Sequence, residues 1–85
     1  MDIKITNNAE KVLTNLYNKD KLNYKRICNA IEEIESDPYH KKFEAVEKYP
    51  PYKRTRVGKY RICFKLENKS TILIARIRKR SNVYN

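Results

Sequence analysis

The period of apolar and polar positions changes twice along the chain, and each change predicts a change of secondary structure. Residues 2–6 (DIKIT) alternate Ile3 and Ile5 with polar neighbours, the two-residue period of a short half-buried strand. The spacing then becomes helical: Ala9, Val12, Leu13, Leu16 and Tyr17 form one apolar stripe. Asn7 or Asn8 is the expected cap, and Asn7 with Glu10 makes a capping box with Asn in the cap position. A second stripe (Tyr24, Ile27, Cys28, Ile31, Ile34) begins near Asp20 and stops at Pro38. The short connection at Asn18–Asp20 predicts an antiparallel helical hairpin.

Residues 37–51 carry all three prolines (Pro38, Pro50, Pro51) and show no period, so they read as a loop. Two-residue alternation then returns, predicting three strands near Tyr52–Val57, Tyr60–Leu66 and Thr71–Arg78. Tyr60, Ile62, Phe64 and Leu66 share one face of the second. The third is continuously apolar at its start, as a central strand would be. Gly58, the only glycine, falls in the first hairpin turn, and Asn68-Lys69 closes the second. The order β-α-α-β-β-β predicts an α+β fold, with the helical hairpin packed on one face of a small, mainly antiparallel sheet. At 85 residues the chain is expected to be a single domain, 1–85.

Composition narrows the classes of function. The longest apolar run is four residues, Ile72 to Ala75, far short of a membrane span, and no signal-like segment opens the chain. A cytoplasmic protein is expected. Cys28 and Cys63 have neither zinc nor CxxC spacing, so no metal, cofactor or disulfide is expected. Charge is more informative. Residues 1–52 carry nine basic and nine acidic side chains, whereas residues 53–85 carry eleven basic ones against Glu67 alone. The whole net charge of +10 lies in the last 33 residues, a one-sided field that suits a polyanionic partner.

Strand parity turns those cations into a surface. Tyr52, Arg54 and Arg56 share one face of their strand; Arg76, Arg78 and Arg80 share a face of the last. Arg61 alternates away from Tyr60 and Ile62. If the helices cover the apolar face, Arg54, Arg56, Arg61 and Arg78 or Arg80 meet on the uncovered one. Arginine's planar fork suits phosphate, and a cluster of like charges is a cost that an anionic ligand offsets.

The run Arg54-Thr-Arg56-Val-Gly58-Lys-Tyr60-Arg61-Ile, the strand ILIARI, and Arg78-Lys-Arg80-Ser-Asn-Val-Tyr84 together resemble the RelE family of bacterial and archaeal toxins, within the RelE/ParE superfamily of type II toxin–antitoxin modules. The resemblance extends over the whole chain. It implies a ribosome-dependent, metal-independent endoribonuclease that cuts mRNA in the ribosomal A site, beside the 16S rRNA of the small subunit. The RNA's own 2′-hydroxyl would attack the adjacent phosphorus and displace the 5′-oxygen. It further implies a RelB-like antitoxin as partner. By this likeness the catalytic set is Arg54, Arg56, Arg61, Arg78 and Tyr84, with Lys53, Arg76, Lys79 and Arg80 contacting RNA.

Preplaced guanidinium groups would stabilise the charge that gathers on the phosphate oxygens. The family often has lysines where Arg54 and Arg56 stand, and arginine does not release its proton. A general base must then be Tyr84, Lys48, Lys53 or Glu47, or be dispensed with. Tyr39, Tyr49 and Tyr52 suit either base stacking or burial against the sheet. Cys28 reads as core, Cys63 as a possible lining of the basic face, and His40 as a solvated side chain. Glu44, Glu47 and Lys48 read as a solvated mixed-charge cluster. The alternatives to a nuclease are a ParE-like toxin that inhibits DNA gyrase and an inactive nucleic-acid- or antitoxin-binding module.

Overall fold

The computed structural model describes residues 1–80. Among them, strand β1 (Asp2–Ile5) leads into helices α1 (Asn7–Lys19) and α2 (Lys21–Ser36), and then into strands β2 (Glu44–Ala45), β3 (Lys53–Val57), β4 (Tyr60–Asn68) and β5 (Thr71–Lys79). The strands form one mixed sheet in the order β1-β5-β4-β3-β2. Three neighbouring pairs are antiparallel, while β1 runs parallel to β5. The architecture is α+β, as the periodicity implies, with α1 against β5 and α2 against β3.

Local chemistry accounts for most element boundaries. The cap of α1 is Thr6, not an asparagine: its Oγ1 accepts from the Ala9 amide at 3.2 Å. The same hydroxyl donates to the Ala75 carbonyl at 2.7 Å, tying the helix start to β5. A side chain two residues nearer the strand can serve both partners, which is why it displaces Asn8 from the role. Asp20 caps α2 through the Asn23 amide. The Asn23 side-chain donor and then its backbone amide hold the Asp20 carboxyl below its ordinary pKa. Gly58 has φ of 59°, the left-handed conformation that a side chain would strain.

The core lies between helices and sheet. Ala9 and Leu16 of α1 and Ile27, Ala30 and Ile34 of α2 meet Ile62, Phe64, Ile72, Ile74 and Ile77. The stretch read as a loop contributes more than the sequence suggests. It contains β2, which pairs with β3, and Phe43, which is buried edge-on against the Phe64 ring at 5.2 Å. An isolated aromatic without a periodic neighbour leaves no pattern to detect. No helix among the described residues is long and apolar enough to cross a membrane.

Candidate phosphate-binding face

Helices cover one side of the sheet and, among the described residues, none covers the other. Because Ile62 and Ile77 are buried beneath the helices, the residues alternating with them face away. Register then decides what the bare face carries. Arg56 on β3 pairs with Arg61 on β4, and Arg61 pairs with Arg78 on β5. Three arginines therefore form one row across three strands. One pleat away, Arg54 pairs with Cys63 and Cys63 with Arg76, making a second row. Directly paired side chains have Cβ atoms about 4.5–5.5 Å apart, and like charges so placed repel.

The surroundings do little to neutralise this charge. Glu44, opposite Arg54 in the register, accepts from the Arg54 Nε at 3.2 Å. Glu67 lies towards the far end of the face, where Lys4 Nζ approaches it at 3.4 Å. Among the described residues, no carboxylate comes within 4.0 Å of Arg56, Arg61, Arg76 or Arg78. Arg56 and Arg78 are exposed and screened by water, whereas Arg61 between them is half-buried. Its Nε is shut off from solvent and has no hydrogen-bond partner among the described residues. An unsatisfied buried donor costs about 1–3 kcal/mol, more when charged. Repulsion between the neighbouring arginines adds to this, reduced by the water around Arg56 and Arg78. An anion bridging the row would offset the repulsion between its arginines.

The structure thus brings Arg54, Arg56, Arg61, Arg76 and Arg78 onto one face. Arg80 follows at the exposed exit of β5, its amide donating to the Lys59 carbonyl at 2.6 Å. Lys53 and Lys79 do not join them. Lys53 has the parity of core Phe64, and its Nζ donates to the Pro38 carbonyl at 3.5 Å and sits 5.8 Å from the Tyr39 ring centre. Lys79 has the parity of Ile77. Tyr84 lies outside the described residues. Two features were not anticipated: the shut-off Arg61 Nε and the Glu44–Arg54 pair. The second would have followed from a strand at Glu44–Ala45, for which the sequence has no visible signal. No group of three or more His, Cys, Asp or Glu side chains is gathered as metal ligands among the described residues.

A helical hairpin on a mixed sheet, with the opposite face crossed by arginines, defines a small basic α+β protein. The family of ParE toxins of type II toxin–antitoxin systems (parDE) matches residues 3–84, and the chain belongs to that family, within the RelE/ParE superfamily. Two solved structures share the fold. A YoeB/ParE toxin from Agrobacterium tumefaciens superposes with a TM-score of 0.84 at 14% identity, over 95% of this chain and 100% of that one. An archaeal RelE–RelB complex from Pyrococcus horikoshii OT3 gives 0.74 at 24% identity, over 96% and 97%. No match is found among curated proteins.

Proposed function

We propose that this toxin is a metal-independent endoribonuclease that cuts mRNA in the ribosomal A site and thereby stops translation in the cytoplasm. The observation that carries the reading is the Arg56–Arg61–Arg78 row across three neighbouring strands. In the reaction the 2′-hydroxyl loses its proton as its oxygen bonds to phosphorus. The bond from phosphorus to the 5′-oxygen breaks, and that oxygen takes up a proton. Negative charge grows on the non-bridging oxygens, where the guanidinium row supplies fixed positive donors. A single donor of this kind is worth about 2.7–4 kcal/mol in other enzymes.

The proton-transfer groups come from outside the row, because arginine keeps its proton. Lys53 is directed to the helix side, which leaves Tyr84, or Glu47 and Lys48. These last two line the same concavity as Arg54. A RelB-like antitoxin with acidic residues is the expected inhibitor, since its carboxylates would compete with RNA phosphate and the 16S rRNA of the small subunit for one face.

The test is primer extension on a translated message with purified protein and ribosomes. Cuts within codons are expected, and they disappear with Arg61→Ala. A second reading, inhibition of DNA gyrase without RNA cleavage, is favoured by the family match to ParE toxins. A folded protein that leaves the message intact and blocks supercoiling would replace the first reading with the second.

A further inference from the structure

Beside the arginine rows the bare face sinks into a concavity of about 560 Å³. Val46, Tyr49, Tyr52, Cys63 and Leu73 make its walls, and Arg76 stands at its edge. The sheet itself shapes the floor. The pairing between β4 and β5 slips between Cys63 and Phe64, leaving Ala75 without a partner as a bulge, and a bulged strand bends. The Ala75 carbonyl accepts from Thr6, so the bend exposes no unsatisfied acceptor there. The aromatic wall is equally well fixed. Three main-chain hydrogen bonds of 2.9–3.0 Å (Val46 to Tyr52, Tyr49 to Val46, Tyr52 to Tyr49) hold the turn that presents both rings. Lys65 Nζ lies 5.1 Å from the Tyr52 ring centre, and Tyr49 is 66% exposed.

Resting on the RNA reading above, we propose that this concavity is a nucleobase subsite: a base whose phosphate lies on the arginines enters it and stacks on Tyr49. Charge and spacing both favour a nucleotide. Arg54, Arg76 and Lys65 surround an aromatic wall, the combination by which single-stranded nucleic acid is gripped: cations on the backbone and rings on the bases. Successive rows on one face are about 6.8 Å apart, one pleat of the sheet, comparable to the step between phosphates of an extended strand. The Thr6 hydroxyl, committed to Ala9 and Ala75, offers no free donor to a base edge. Tyr39, packed beside Lys53 on the other side, has no part in it.

The experiment is fluorescence anisotropy on the full chain at low salt, with a short 2′-O-methyl oligoribonucleotide that cannot be cut and its counterpart with abasic positions. The intact oligonucleotide should bind more tightly than the abasic one. Tyr49→Ala should weaken the intact probe roughly five- to 150-fold, the range for loss of one stacked base. The abasic probe should be unaffected and Tyr49→Phe should bind like the parent protein, while thermal melting confirms that each variant is folded. Arg61→Ala should weaken both probes. If Tyr49→Ala binds the intact probe as before while Arg61→Ala does not, the subsite is overturned and the RNA reading stands. If Tyr49→Ala instead impairs only neutralisation by the antitoxin, the concavity is a protein-docking site and the subsite is equally overturned. Failure of the parent protein to bind either probe overturns the subsite together with the phosphate row beneath it.

Discussion

On the proposed reading, Arg61 is the residue at which function opposes stability. It lies between two other arginines, with one nitrogen shut off from water and unpartnered among the described residues. Arg61→Ala removes that orphan donor and the repulsion on both sides, so growth inhibition should be lost while the melting temperature stays level or rises. Bacterial growth after induction, with calorimetry on the purified variant, checks both halves. A fall of many degrees would mark Arg61 as structural. The alternation of Arg54 and Arg56 and the parity of Arg61 were enough to foresee a shared face, because parity is local. Pairing is not local, so that Arg61 would have Arg56 on one side and Arg78 on the other was beyond reach. The same limit hid Glu44, whose place opposite Arg54 depends on a two-residue strand.

At the scale of elements, strongly periodic segments were legible and a region dependent on one contact was not. Both helices and the three long strands follow from their stripes, and Gly58 marks its turn by a conformation few other residues adopt. The segment from Asp37 to Pro51 has no period, yet it places Phe43 in the core against Phe64. Phe43→Ala should therefore cost about 3–5 kcal/mol in urea unfolding, the range for a buried phenylalanine. A solvated loop at this position would lose less than about 0.5 kcal/mol. The segment also presents Tyr49 and Tyr52, so its packing bears on the site as well as on the fold.

At the scale of the whole molecule, the asymmetry between a balanced half and a basic half becomes an asymmetry between two faces of a sheet. Association with RNA should then depend steeply on ionic strength. With three or four phosphates engaged, a plot of log K against log salt should have a slope of about −2 to −3, and Arg78→Ala should flatten it by about 0.7. Anisotropy titrations across a salt series measure both. An unchanged slope in the variant would show that Arg78 touches no phosphate.

The connectivity of the sheet also sets when the molecule becomes dangerous. Among the described residues the first strand has a single neighbour, and that neighbour is the last strand. The third arginine of the row sits on that last strand as well. A nascent chain still lacking it has an unpaired beginning and two of the three arginines, so on the proposed reading emergence of the final segment from the ribosome closes the sheet and completes the RNA grip in the same event.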